Sequence, residues 1–148
     1  MRALGLPPID ERTRIIDATG LILGRMASIV AKRLLSGEKI IIVNAEKAVI
    51  SGDRYMIINQ YHNYLQIGHP GKGPHHPRRP DRIVRRAIRG MLPYKQPRGR
   101  DAFKRLRVYM GVPEELKGKM METIPEASAS KLKGKYITVL ELSRHIRG

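Results

Sequence analysis

The sequence predicts a single α/β domain, on the evidence of two strand-like runs and the helix between them. The chain has 148 residues, enough for one domain with its own core but too few for two. Residues 14–18 (RIIDA) and 39–43 (KIIIV) are short β-branched runs typical of strands. Residues 22–37 between them repeat apolar side chains at helical spacing. A helical crossover of this length makes the two strands parallel.

The first helix has a clear apolar stripe, which consists of Leu23, Met26, Ala27, Val30 and Leu34. We expect Thr19 to cap its start and Gly37 to end it in a left-handed conformation. Asp17 ends the first strand, where α/β enzymes place active groups. No general base, nucleophile or second carboxylate is linked to it by spacing, so we expect Asp17 to cap the following turn.

A second helix is predicted over residues 53–65, with Ser51 or Asp53 as its start signal. Side chains at helical spacing define its packed face: Tyr55, Ile58, Tyr61, His62 and Leu65. We expect three tyrosines here, Tyr55, Tyr61 and Tyr64, to help packing, and His62 to be a partly buried structural histidine. Glycines and prolines in residues 68–80 then predict a basic loop.

The basic charge is concentrated in the middle of the chain. Lys and Arg total 29 against 13 Asp and Glu, a net charge of +16. Residues 69–113, which we call the basic segment, carry 13 of these cations and only two acids. A solubilising charge would be scattered, so this concentration indicates a localised contact with a polyanion.

Residues 81–91 predict a helix with two distinct faces. One face carries four arginines, Arg82, Arg85, Arg86 and Arg89, and the opposite face carries Ile83, Val84, Ala87, Ile88 and Met91. A solvated stripe normally alternates sign, but only Asp81 is near these arginines in the sequence. We therefore favour phosphate binding over a merely solvated face.

The rest of the chain gives weaker signals. Pro93 ends this helix, residues 93–101 predict a basic turn, and residues 102–110 predict a short helix that enters a third strand at 107–110. Residues 112–130 are typical of a loop, and residues 136–142 (YITVLEL) could form either a strand or a helix.

Several kinds of site are disfavoured. Residues 20–26 (GLILGRM) are not a phosphate-binding P-loop, because three residues separate the glycines and Arg25 and Met26 replace the required Lys and Ser or Thr. The spacing of His69, His75 and His76 matches no standard zinc pattern. Cysteine is absent, which excludes disulfides and thiolate sites and fits a reducing cytoplasm. The N-terminal residues lack a long apolar run, so we expect neither a signal peptide nor a membrane span.

Three motifs together resemble a known family: residues 16–28 (IDATGLILGRMAS), 43–53 (VNAEKAVISGD) and 85–113 (RRAIRGMLPYKQPRGRDAFKRLRVYMGVP). The chain is similar to the universal large-subunit ribosomal protein number thirteen family, in its archaeal and eukaryotic form, over roughly residues 13–142. The resemblance implies a three-layer α/β/α domain around a four-stranded parallel sheet, with basic loops and a C-terminal extension. It also implies binding to large-subunit rRNA beside neighbouring ribosomal proteins, a role in subunit assembly, and a cytoplasmic, ribosome-bound location without cofactor, membrane or small-molecule substrate.

The resemblance also assigns the RNA-facing residues. They are His69, Lys72, His75, His76, Arg78, Arg79, Arg82, Arg85, Arg86, Arg89, Lys95, Arg98, Arg100, Lys104, Arg105 and Arg107. Tyr94, between Pro93 and Lys95, is placed like a residue that stacks on a base. We expect one domain over 1–148, with its core at about 13–113 and a peripheral segment at 114–148. No catalytic or metal residue is assigned.

Two other functions remain open at this point. An RNA-processing enzyme with a basic substrate track would need a catalytic constellation, which the sequence does not show. A free regulatory RNA-binding module would differ from a ribosomal protein in not sedimenting with large particles.

Overall fold

The computed structural model describes residues 12–67, 78–132 and 134–147. In chain order the strands and α-helices are β1 Thr13–Asp17, α1 Leu23–Leu35, β2 Lys39–Val43, β3 Val49–Ser51, α2 Arg54–Ile67, α3 Pro80–Arg89, α4 Pro97–Lys104, β4 Leu106–Val108, β5 Tyr136–Thr138 and α5 Val139–Arg147. Short 3-10 helices lie at Ala45–Lys47, Glu114–Leu116, Pro125–Ala127 and Ala129–Lys131. The α/β class is confirmed.

The main sheet is parallel and has the strand order β1-β2-β4. β1 pairs with β2 along its full length, from Thr13 opposite Lys39 to Asp17 opposite Val43, with α1 as the crossover. A four-stranded parallel sheet is not found in the described residues. Beside β1 there is a single bridge from Ile16 to Glu122, because Pro125 and the 3-10 turns interrupt the chain after residue 122 before a strand can form.

The two faces of this sheet are covered differently. Ile16, Ile40 and Ile42 point into the main core, which contains the buried stripes of α1, α3 and α4. Ile15, Ile41 and Val43 point the other way and pack against Leu116 and its neighbours in the 109–121 segment. The expected three-layer α/β/α arrangement is therefore not what the described residues form, since irregular chain and a 3-10 helix cover the second face.

The C-terminal segment, expected at the periphery, contributes to the core. β5 pairs antiparallel with β3, and α5 follows β5 directly, so residues 136–142 form a strand first and a helix afterwards. Buried side chains from this part of the chain are Leu116, Ile124, Ala127, Ile137, Val139, Leu142 and Ile146. α5 packs against both α2 and α3.

The first helix was predicted well except at its start. All five residues of its predicted stripe are buried, and Gly37 has a φ of 106°, as its position after the helix requires. Thr19 does not cap α1, because the helix begins only at Leu23. The backbone N–H and hydroxyl of Thr19 instead donate to Oδ1 of Asp17 at 3.0 and 2.6 Å, so Asp17 caps the turn as expected.

The second helix begins as predicted but is rotated. Asp53 accepts hydrogen bonds from the N–H groups of Tyr55 and Met56, at 2.9 and 3.3 Å. The packing predicted for Tyr55 and His62 is wrong, since both are exposed. Ile57 is buried in the main core, and two residues of the predicted face, Ile58 and Tyr61, pack against it partly buried. None of the helices in the described ranges has the length and apolarity needed to span a bilayer.

Candidate nucleic-acid interface

Helix α3 is fixed to the body at both its start and its apolar face. Pro80 occupies the first turn, where its missing N–H costs nothing. Ser143 of α5 donates its hydroxyl to the carbonyl of Arg78 at 2.6 Å, which ties the entry of α3 to α5. Ile83, Val84 and Ile88 are buried in the core. Met91, predicted on this face, is 48% exposed because α3 ends at Arg89.

The opposite face of α3 carries the four predicted arginines together. Arg82, Arg85 and Arg86 are exposed and Arg89 is half-buried. No carboxylate of the described residues forms a salt bridge with any of the four. We call this surface the α3 arginine face.

Two of these arginines have their guanidinium groups over aromatic rings. The guanidinium carbon of Arg85 is 4.2 Å from the ring centroid of Phe103, and that of Arg89 is 4.1 Å from the ring centroid of Tyr94. The two rings meet edge to face, with centroids 5.6 Å apart and planes at 86°. Such cation–π contacts restrict long side chains that would otherwise move freely. Tyr94 and Phe103 therefore form a platform that holds Arg85 and Arg89 in place.

The close approach of α4 to the preceding turn positions the platform. A Cβ on Gly99 would lie 2.0 Å from the carbonyl oxygen of Pro93, so only glycine permits this contact. Arg100 reaches back from α4 and donates to the carbonyl of Lys95 at 3.0 Å. Both contacts fix the turn that carries Tyr94.

The electrostatics of the α3 arginine face are repulsive. Although the Arg85 residue is exposed, its guanidinium is partly desolvated against the Phe103 ring, which lowers its pKa, and the positive charges of Arg82 and Arg107 lower it further. The guanidinium remains protonated at neutral pH. Arg85 thus lies among like charges, no carboxylate of the described residues pairs with it, and a bound anion would relieve this repulsion.

Some of the other predicted residues have partners within the protein. Arg105 donates from Nη2 to the carbonyl of Leu34 at 2.6 Å. Arg107 donates from Nη1 to the carbonyls of Lys104 and Leu106, both at 2.9 Å. Arg79 pairs with Asp81 at 3.3 Å.

The remaining predicted residues of the described chain are exposed and form no ion pair there: Arg78, Lys95, Arg98 and Lys104. Four others, His69, Lys72, His75 and His76, lie outside the described residues. The structure thus brings together the α3 arginine face, Lys95 and the exposed side of α4, through the shared aromatic platform.

Several cations outside the basic segment form ion pairs with carboxylates in the described chain. Arg33 donates to Glu38 at 2.9 Å and also approaches Glu122 at 3.4 Å, and these contacts raise its pKa above the ordinary value. Other pairs outside the basic segment are Arg14–Glu38, Arg14–Glu122, Arg54–Glu141 and Lys117–Glu114. Within the described part of the basic segment, one cation, Arg79, has an acidic partner, which is Asp81.

The carboxyl edge of the parallel sheet shows a structural polar cluster. Asp17 accepts from Thr19 and, at 3.1 Å, from the amide of Asn44. Burial alone would raise the pKa of Asp17, but these hydrogen bonds lower it overall. Among the described residues, no group of three or more His, Cys, Asp or Glu side chains is arranged to hold a metal ion.

Comparison with known proteins decides the family. The model of the family described as ribosomal protein L13 matches residues 11–115. The chain belongs to the ribosomal protein L13 family. Large ribosomal subunit protein uL13 of Archaeoglobus fulgidus is 54% identical over 134 residues, which cover 89% of this chain and 86% of that protein. The proteins of the same name from Methanosarcina barkeri and Methanocaldococcus jannaschii are 57% and 52% identical, over 88% and 89% of this chain and 94% and 96% of their own length.

The L13 family match extends over both α3 and α4. The resemblance found in the sequence motifs is therefore confirmed. What sequence reasoning missed in this L13-family chain is the role of Phe103. Tyr94 was expected to stack on a base, but Arg89 already covers one face of its ring. No sequence signal indicates either contact, because each joins residues of separate elements that only the packing of α4 brings together.

Proposed function

We propose that this L13-family chain is a structural constituent of the large ribosomal subunit, which binds rRNA through the α3 arginine face and the adjoining cations. The curated relatives carry the name large ribosomal subunit protein, which supports the assignment. Its partners are large-subunit rRNA and neighbouring ribosomal proteins, and it acts bound to the ribosome in the cytoplasm. It works as one domain and by binding rather than by catalysis.

The observation that carries the proposal is a set of four arginines on one helical face, two of them held on aromatic rings, that have no acidic partner among the described residues. Four guanidinium groups on one helical face repel one another unless an anion lies over them. The planar guanidinium pairs with two phosphate oxygens at once, which makes arginine well suited to a nucleic-acid backbone. Two of the four are already oriented by the platform, so their ordering costs less on binding.

The geometry divides the predicted contact residues into two groups. Those that we propose to touch phosphate are Arg78, Arg79, Arg82, Arg85, Arg86, Arg89, Lys95, Arg98 and Lys104. Arg100, Arg105 and Arg107 donate to carbonyls of the protein itself, so we propose that they chiefly hold the interface together. His69, Lys72, His75 and His76 stay a prediction for the loop before α3.

Recognition of this kind follows the shape of folded RNA. Phosphate contacts fix orientation and register, and the spacing of the cations selects a backbone geometry rather than a base sequence. Each phosphate neutralised releases counterions, so the affinity for rRNA falls steeply as salt rises.

Replacing the two arginines of this face that have no partner in the described chain tests the proposal. Arg82→Gln with Arg86→Gln removes two positive charges and disturbs no buried contact. We expect unchanged thermal unfolding, an affinity for large-subunit rRNA lower on the order of tenfold, and a salt slope smaller by about 1.4 to 1.8. The matched control, Lys117→Gln with Lys119→Gln, removes the same charge from an exposed segment outside the basic segment.

Sucrose-gradient sedimentation gives the corresponding readout in cells. The double arginine variant should be depleted from large subunits while the lysine control enters them normally. Equal loss of RNA affinity in both variants would show that net charge matters and the α3 arginine face does not. Full incorporation of the arginine variant would overturn the proposal.

A further inference from the structure

A second surface of the molecule has the opposite character to the α3 arginine face. A groove of about 500 Å³ lies between the start of α2 and β5, and its lining includes Tyr55, Lys135 and Tyr136. Tyr55 is 76% exposed, its neighbour Met56 is 72% exposed, and Tyr136 is 50% exposed. Large apolar side chains so close together on a surface indicate a binding site.

The outer face of α2 continues this surface beyond Arg54, whose charge is paired with Glu141. After Tyr55 and Met56, the exposed side chains of residues 57–63 are Asn59, Gln60, His62 and Asn63, none of which is Lys, Arg, Asp or Glu. More than a quarter of this chain's residues are charged, so a run of exposed helix without these four residue types is unusual here. Interface cores between proteins are enriched in Tyr and Met and depleted of charged residues, whereas surfaces that bind nucleic acid need many cations.

The charged residues at the rim of the groove indicate which charge a partner would carry. Arg54 is paired with Glu141 at 3.3 Å and lies 2.7 Å from His145. Asp53 keeps its negative charge but accepts from N–H groups at the start of α2, whose partial positive charge offsets it. Lys135 is exposed and forms no ion pair with a described residue, so it is a rim charge that a partner could match.

We propose that this groove is a docking site for an extended segment of another protein, which packs an apolar side chain against Tyr55 and Tyr136 and places a carboxylate opposite Lys135. The edges of the two tyrosine rings supply apolar area at little conformational cost, and their hydroxyls stay available for hydrogen bonds. The site lies outside the proposed RNA contact. It rests on the proposed function in one respect, since the partner is sought within the large subunit.

Site-specific photo-cross-linking in assembled large subunits identifies the occupant. The full chain carries p-benzoylphenylalanine in place of Tyr55, Tyr136 or, as an RNA-facing control, Lys95. We expect positions 55 and 136 to cross-link to acidic peptides of one and the same protein, and position 95 to cross-link to rRNA. Cross-links from 55 and 136 to rRNA, to other residues of this chain, or to nothing would overturn the docking site.

The control position separates this proposal from the proposed function. Failure at position 95 with success at 55 and 136 would refute the RNA contact and leave the docking site intact. A charge reversal tests the carboxylate: Lys135→Glu should lower the cross-link yield from position 55 by about fivefold, because like charges then face each other. The exposed Lys119→Glu should leave the yield unchanged, and equal yields in both variants would refute the ionic part of the proposal.

Discussion

Replacing Tyr94 by leucine removes the ring beneath Arg89 while leaving the charge of the protein unchanged. Leucine keeps an apolar contact with Phe103 but has no π face for the guanidinium that now lies 4.1 Å from the ring centroid. If the platform presets the arginines for phosphate binding, the variant should bind rRNA more weakly although it retains every cation. Tyr94→Leu therefore separates positioning from charge.

The expected loss of rRNA affinity follows from the geometry of the cation–π contact between Arg89 and Tyr94. A cation–π contact at a partly exposed site is worth about 0.5 to 1 kcal/mol. Loss of that preorganisation corresponds to an affinity about two- to fivefold lower. The lost edge-to-face contact with Phe103 should also lower the free energy of unfolding by about 0.5 to 1.5 kcal/mol, which leaves the protein folded at room temperature.

Fluorescence anisotropy with a large-subunit rRNA fragment, across a salt series from about 50 to 200 mM, measures both affinity and slope. Tyr94→Leu should lower the affinity by the same factor at every salt concentration, because no phosphate contact is lost. Arg89→Gln should reduce the slope by about 0.7 to 0.9, since one contact disappears. Tyr136→Leu, an exposed tyrosine on β5, is the matched control and should bind like the wild type. Unaltered affinity in Tyr94→Leu, or a changed slope, would refute the positioning role.

Three further variants test individual contacts in the protein. The free energy of unfolding of each variant is measured by urea denaturation. Gly99→Ala should lower the free energy of unfolding by about 1 to 3 kcal/mol, because the Cβ of the new alanine would lie 2.0 Å from the carbonyl oxygen of Pro93. Ser143→Ala should cost about 1 kcal/mol, since the carbonyl of Arg78 loses its 2.6 Å hydrogen bond. Asp17→Asn should flatten the dependence of stability on pH below about 4. The folded pKa of Asp17 lies below its unfolded value of 3.8, so the unfolded state binds more protons and stability falls as pH falls.

For each of these three variants, a control or a particular result would contradict the expected effect. Gly24→Ala, at an exposed helical glycine with open space around it, should be neutral or slightly stabilising. If Gly99→Ala matched Gly24→Ala, the close packing of α4 would be wrong. Wild-type stability in Ser143→Ala would remove the proposed anchor of α3. An unchanged pH profile in Asp17→Asn would show that another carboxylate carries the acid sensitivity.

The first half of the fold was accessible from the sequence because its signals are local. β-branched runs and a period-3.6 stripe predict β1, α1 and β2 directly, and all three were confirmed. α4 was predicted over 102–110 but spans Pro97–Lys104, because Pro97 begins a helix rather than a turn. The third strand was accordingly predicted too late in the chain, at 107–110 instead of Leu106–Val108.

Features that depend on tertiary packing could not be predicted. The packing of α2 buries Ile57 and exposes Tyr55, which periodicity alone had placed inside. The α3 arginine face was predicted because helical spacing suffices to define it. The aromatic platform under Arg85 and Arg89 was not predicted, because it depends on the close contact between Gly99 and Pro93. The contribution of residues 114–148 to the core was not predicted either, because it also depends on tertiary packing.

We propose that the α3 arginine face lies against phosphates of folded rRNA, and an electron cryomicroscopy map of large subunits that contain this chain tests this contact most directly. We predict phosphate oxygens within about 2.7 to 2.9 Å of guanidinium nitrogens on that face, the distance of charge-assisted hydrogen bonds. A map in which Arg82, Arg85, Arg86 and Arg89 face open solvent, with RNA on another side of the protein, would contradict the account.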